Sequence, residues 1–176
     1  MNSGSRQQAL VEAAFNCIAA RGFEGLRLRE VAKEAGIDHS TLHHYFPTKE
    51  DLVAAVVEHA TRQFWKTMPP QPSAAATVRY HLAVLADMIR ARPELFAVLR
   101  ELDLRAARDA RIAEVVTRSE RGWHEALRGV LAEALPGADV AATADLVISV
   151  ARGVSLAPDQ APAVFAQLEV LLDLTD

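Results

Sequence analysis

The chain has one cysteine among 176 residues, Cys17, so no disulfide can close within it. Set among apolar neighbours in "AAFNCIAARGF", residues 13–23, Cys17 reads as a small core residue rather than a nucleophile. No apolar run approaches the roughly 20 residues that cross a bilayer, and the opening "MNSGSRQQ" has no apolar signal core. The expectation is therefore a cytoplasmic protein without a membrane span. Alternating β-branched runs of the kind that build strands are missing, as are internal repeats and low-complexity tracts. No Gly-rich phosphate loop, nucleophile elbow or paired-carboxylate frame occurs, which counts against an enzyme and implies no cofactor. Positive charge is not in excess: a net charge of −4 argues against indiscriminate binding to polyanions. The acidic excess lies wholly in the later part of the chain. Residues 1–66 hold eight Lys/Arg against eight Asp/Glu, and four of the six histidines.

What the sequence does contain is Ala, Leu, Glu and Arg at helical spacing, with 51% hydrophobic residues, enough to bury a substantial core. The pattern predicts an all-α protein of about nine helices. The first spans 5–21, with Val11, Ala14, Phe15 and Ile18 on one face and Gly22 as its stop. A second covers 28–35 and closes at Gly36; a short third covers 39–45, with Asp38 suited to cap it and Pro47 beyond its end. Thr48 and Asp51 have the T-x-x-D spacing of a capping box opening a fourth helix that lasts to 66. Further helices are expected at 74–91, 93–105, 109–135, 139–154 and 161–174. The Pro-rich "MPPQPS", residues 68–73, marks a boundary. This gives an N-terminal domain over 1–48, a connecting helix over 49–67 that alone spans both domains, and a C-terminal domain over 68–176.

Residues 28–47 have the layout of a helix-turn-helix. Ala32 lets two helices approach closely, and Gly36 four positions later supplies a left-handed turn that a Cβ would penalise. Val31, Ile37 and Leu42 then point inward. His39, Ser40, Thr41, His43 and His44 are left on the outer face, a small polar surface that suits the major groove of DNA, about 12 Å wide. A tight helical hairpin with a solvated face would have the same spacing. His39 and His43, at i and i+4, have the spacing of two zinc ligands on one helix face, but two ligands are too few and no Cys or carboxylate at known spacing completes the set, so no metal is expected.

The wider run decides between these readings. Phe15 with "RGF" (21–23), "REVAKEAGI" (29–37) and "STLHHYFPTKEDL" (40–52) closely resemble the N-terminal domain of TetR-family transcriptional regulators over residues 6–60. The resemblance implies that the first three helices bind a double-stranded operator, that a fourth helix leads to a ligand-binding domain, and that two subunits join through the last two helices. Carried over by position, His39, Ser40, Thr41, His43 and His44 fall where the family contacts bases and phosphates, and Lys49 on its phosphate-binding lysine. Lys49 also stands in the first turn of a helix, beside free amides and the positive end of a dipole. Two positions depart from the family pattern: Arg27 stands where Thr or Ser is common, and His43 where Tyr is common. Arg27 exchanges a hydroxyl contact for a charged one; His43 keeps a donor but loses the reach of a phenol.

Residues 92–116, "RPELFAVLRELDLRAARDARIAEVV", are similar to the sixth- and seventh-helix region of many members. The C-terminal domain is then expected to hold a small-molecule effector. Tyr80, His81, Met88, Phe96, Trp123 and His124 are the larger adaptable or amphipathic groups available to it, and Met88, Phe96 and Trp123 are the leading candidates because their helices surround the effector in the family. The last two helices are apolar on broad faces, Leu146, Val147, Val150 and Val154 on one and Val164, Phe165, Leu168, Leu171 and Leu172 on the other. That excess suits a homodimer joined by a four-helix bundle, with Leu146, Val150, Phe165, Leu168 and Leu172 at the interface. The expected function is a ligand-responsive, one-component transcriptional regulator, a repressor that binds a palindromic operator as a dimer and leaves it when an effector binds.

Overall fold

A computed structural model describes residues 3–65 and 67–174. The described residues form nine α-helices and no strand, in keeping with the all-α expectation. These are α1 (Ser3–Arg21), α2 (Leu28–Glu34), α3 (His39–Tyr45), α4 (Lys49–Trp65), α5 (Ala74–Ala91), α6 (Pro93–Ala106), α7 (Ala110–Ala134), α8 (Val140–Val154) and α9 (Ala161–Leu171). Single turns of 3₁₀ helix lie at Phe23–Gly25 and Pro158–Gln160. No helix among the described residues is long and apolar enough to cross a membrane. Lys66, the anticipated end of the fourth helix, lies outside the described residues.

Several helix starts are set by side chains that satisfy the free amides of a first turn. Ser73 Oγ accepts from the Ala76 N–H at 3.1 Å, and Asp139 Oδ1 from the Ala142 N–H at 3.0 Å. Thr48 and Asp51 form the expected capping box: the Thr48 N–H donates to Asp51 Oδ2 at 3.0 Å and the Asp51 N–H to Thr48 Oγ1 at 3.1 Å. Asp38 does not cap as anticipated. Its backbone is extended at the start of α3, but its side chain makes no capping bond. The last helix also stops earlier than 174. Asp173 turns to φ 53, its N–H donates to the Val170 carbonyl and the Leu174 N–H to the Glu169 carbonyl, a Schellman closure built without glycine. Leu174 is buried and its carbonyl accepts from Arg79 Nη1 at 2.6 Å, which holds the turn where no glycine announces it.

Packing divides the chain into two compact units. The first comprises Met1–Thr61 and Ala97–Ser119. In it α1 packs on the 23–25 turn and on α2, and α2 packs on α3. The stripe of α1 is buried as its spacing requires, Val11, Ala14, Phe15 and Ile18 joining Phe23, Leu26, Val31, Leu42 and Phe46. A side chain such as Leu42, fully buried, contributes roughly 1.5–3 kcal/mol. That anchors α3 by one face and leaves the other free.

The second unit comprises Arg62–Phe96 and Glu120–Asp176. Here α5 packs against α8, α9 and the 158–160 turn. Val78, Leu82, Leu85 and Ile89 of α5, Val147 and Ala151 of α8, and Phe165 and Leu168 of α9 are buried. Phe165 and Leu168, expected at a dimer interface, are 1% and 4% exposed within a single chain and so belong to its own core. α9 spends that face on its own subunit because α5 needs a lid. α4, α6 and α7 each carry residues of both units.

Candidate nucleic-acid interface

The turn between α2 and α3 fixes the orientation of the helix that follows. Gly36 has φ 65, and a Cβ there would meet nothing within 4 Å, so backbone conformation alone demands glycine. The Gly36 N–H donates to the Lys33 carbonyl at 3.1 Å and the Ile37 N–H to the Ala32 carbonyl at 2.9 Å, the paired bonds of a Schellman motif. Val31 and Leu42 are fully buried, Ala32 is 2% exposed, and Ile37 is half-buried. With Leu42 inward, the remaining residues of α3 are turned away from the core. Ser40, His43 and His44 are exposed, His39 and Thr41 half-buried. The His39 and His43 rings meet edge to face at 4.6 Å, and His44 meets Tyr45 in the same way at 5.7 Å. All five residues expected to touch DNA therefore lie on one short helix outside the core.

Arg27 and Lys49 flank this face in sequence, and both are placed by the turn that precedes α2. Arg27 is exposed at the N-cap of α2 with extended backbone, and its Nη1 donates to the Glu24 carbonyl. Lys49 is the first residue of α4, fixed there by the capping box, and its Nζ lies 4.8 Å from the centroid of the Phe23 ring. Partial burial holds the Lys49 ammonium below the usual lysine range; Glu24 opposes the shift and the nearby Arg27 and Arg105 add to it.

Two residues that hold the turn, Glu101 and Arg105, were not foreseen. Gly22 has φ 70, and the Phe23 N–H beside it donates to Glu101 Oε2 at 2.8 Å. Arg105, one helical turn further along α6, pairs with Glu24 at 3.5 Å and with Asp109 at 3.2 Å, and its guanidinium carbon lies 5.1 Å from the Phe23 centroid. Phe23 thus has a cation from α4 and a cation from α6 within reach of its ring. The i,i+4 spacing of Glu101 and Arg105 is visible in the sequence, but nothing there says what the pair holds.

Of the effector candidates, Phe96 and Trp123 are buried and Met88 is half-buried. Phe64 links the first two, with its ring 6.0 Å from Phe96 and 5.0 Å from Trp123. Met88 has no part in these ring contacts. Of the interface candidates besides Phe165 and Leu168, Leu146 is 46% exposed, and Val150 and Leu172 are half-buried. Val170 and Leu171, 57% and 72% exposed on α9, extend this apolar surface. Among the described residues no group of three His, Cys, Asp or Glu side chains is placed to hold a metal.

Comparison with known proteins agrees with this geometry. Residues 10–56 match the family model of the bacterial regulatory proteins of the tetR family. The fatty acid metabolism regulator protein of Bacillus subtilis is 24% identical over 134 residues, covering 74% of this chain and 69% of that protein. The transcriptional regulator BetI of Burkholderia thailandensis is 34% identical over 87 residues, 49% of this chain; the chain thus spans about two-fifths of the length of BetI. Among solved structures, the regulator FadR of Bacillus subtilis in complex with stearoyl-CoA superposes with a TM-score of 0.71 at 20% identity, over 95% of this chain and 96% of that one. The last likeness is one of fold. These three proteins are named as regulators.

Proposed function

We propose that this chain is a transcriptional regulator of the TetR family, whose model its residues 10–56 match, and that it is a repressor that binds a palindromic operator as a homodimer and releases it when a small molecule occupies the second unit. The observation that carries this reading is the face of α3: five polar side chains on a helix held by one buried leucine and a glycine turn, with Arg27 and Lys49 at its flanks. Thr41, His39 and His44 have the groups to meet base edges; Arg27, Lys49 and His43 take phosphates. Leu146 and Val150 of α8 with Leu172, Val170 and Leu171 at the end of α9 form the contact with a second copy, and a two-fold dimer matches a two-fold operator. Release is a population shift. The effector favours a dimer whose two recognition helices no longer match major grooves about 34–36 Å apart.

The test is to capture genomic DNA fragments on the purified protein, sequence them, and measure the stoichiometry on the recovered site. The expected result is an inverted repeat bound by two chains. Fragments without shared sequence, or a bound monomer, would contradict the proposal.

A further inference from the structure

His81 and Trp123, both in the second unit, bury polar atoms that nothing bonds. His81 on α5 is fully buried. Its Nδ1 lies 2.8 Å from Thr67 Oγ1, and that hydroxyl already donates to the Phe64 carbonyl at 2.6 Å. Thr67 can therefore only accept, which places the proton on Nδ1 and leaves Nε2 as a bare acceptor. Among the described residues His81 Nε2 has no partner, nor does Trp123 Nε1, whose N–H is a bare donor. The two rings stand 6.0 Å apart at 61°, beside Phe64. Each buried, unbonded polar atom costs on the order of 1–3 kcal/mol, so an acceptor and a donor left side by side call for a partner.

A cavity of about 440 Å³ in this unit is lined by Met68, Gln71, Pro72, Thr77, Val130 and Glu133 among others, with none of His81, Trp123, Phe64 or Phe96 among its described lining residues. Thr77 precedes His81 by one turn of α5, Val130 follows Trp123 by two turns of α7, and Met68 adjoins Thr67. Among the described residues no lysine or arginine lines the cavity, and the one charged lining residue is the acid Glu133.

We propose that this cavity leads to the effector site and that the His81–Trp123 pair is its polar anchor, selecting an uncharged ring compound that carries a carboxamide, alcohol or phenol. Such a group donates to His81 Nε2, accepts from Trp123 Nε1–H, and lays its ring against Phe64 and Phe96. A carboxylate is rejected twice: it has no proton for a bare imidazole nitrogen, and it passes Glu133 on the way in. Burial reinforces this by holding the His81 imidazole neutral. The inference rests on the reading of this chain as an effector-responsive regulator, and it adds the class of effector.

Benzamide and benzoate, matched in shape and differing in charge, are the probes, titrated into the intact ¹⁵N-labelled protein at neutral pH. Trp65 and Trp123 are its two tryptophans, so a Trp65→Phe variant assigns their indole N–H signals. The expected result is that benzamide shifts the Trp123 indole N–H and His81 Nε2 together, while benzoate binds at least tenfold more weakly. His81→Gln, whose amide can turn an N–H donor toward a carboxylate, should bring the two affinities within about threefold; Trp123→Phe, which keeps the ring and removes a donor that either probe's oxygen can use, should weaken both probes and retain the preference for benzamide. Equal binding of the two probes, no shift with benzamide, or a direct hydrogen bond between Trp123 Nε1–H and His81 Nε2 in the free protein would overturn the proposal. Operator capture by the same preparations separates the two readings: failure there strikes the regulator, failure of benzamide selectivity strikes only the anchor.

Discussion

The two units use histidine in opposite ways. In the first, His43 and His44 stand exposed on α3 and His39 is half-buried beside them, within reach of water. In the second, His81 is sealed in, one nitrogen tied to Thr67 and the other bonded to nothing, against a tryptophan in the same condition. An exposed polar face costs little to build and can bond to many partners, as an interface with a long polyanion requires. A buried, half-satisfied pair is costly and accepts only a ligand that completes it. The first arrangement suits affinity for DNA, the second discrimination among small molecules.

The difference is sharpest on α9, where neighbouring leucines have opposite surroundings. Leu168→Glu buries a carboxylate at a position 4% exposed and is expected to cost more than about 4 kcal/mol, leaving little folded protein. Leu171→Glu, at a position 72% exposed, should leave the thermal midpoint nearly unchanged while sedimentation shows the dimer weakened. Equal effects of the two would abolish the distinction between core face and contact face.

A second break runs through His81 itself. Burial pulls its imidazole down to about 4, against roughly 6.5 in an unfolded chain. Between those values the unfolded state holds a proton that the folded state refuses, so this contribution to stability is complete above pH 6.5 and is lost as pH falls toward 4. The full span is about 3 kcal/mol. Urea denaturation of the parent and His81→Gln at pH 7 and pH 5 reads it: the parent should lose more stability on acidification than the variant. Parallel losses would show that His81 titrates normally.

Gly36→Ala forces a side chain into a left-handed turn and should cost roughly 1–2 kcal/mol, with operator affinity falling as α3 loses its angle. A calorimetric midpoint equal to the parent's would show that the turn has another conformation open to it. The smallest expected effect is on the phosphate side. Lys49→Ala should leave the fold intact, weaken binding to every duplex about equally, and reduce the slope of log affinity against log salt by about one. Loss confined to one sequence would move Lys49 from the backbone to the bases.

How much of this was legible depended on whether the cause was local. Gly36, Ala32 and the Thr48–Asp51 box announce themselves because a turn or a cap is decided by residues within a few positions, and α3 spans the very residues its flanks imply. The apolar stripe of α9 was equally visible, but a stripe does not say which of its leucines α5 will cover; Leu168 is covered and Leu171 is not. The clasp of Glu101 and Arg105 on the 22–24 turn joins residues nearly 80 positions apart, beyond the reach of any spacing rule. The orphaned nitrogens of His81 and Trp123 belong to the same class, since only packing decides whether a polar atom finds a partner.

The central claim is that the outer face of α3 reads DNA. A selection from randomised duplexes, run in parallel on the parent and on a variant with Thr41, His43 and His44 all replaced by alanine, tests it most directly. The parent should enrich an inverted repeat with half-sites about 10–10.5 base pairs apart, centre to centre, or a multiple of that spacing, and the variant should lose the preference within each half-site while keeping weak, salt-sensitive binding. A parent that enriches no sequence, or a variant that enriches the same one, would contradict the account.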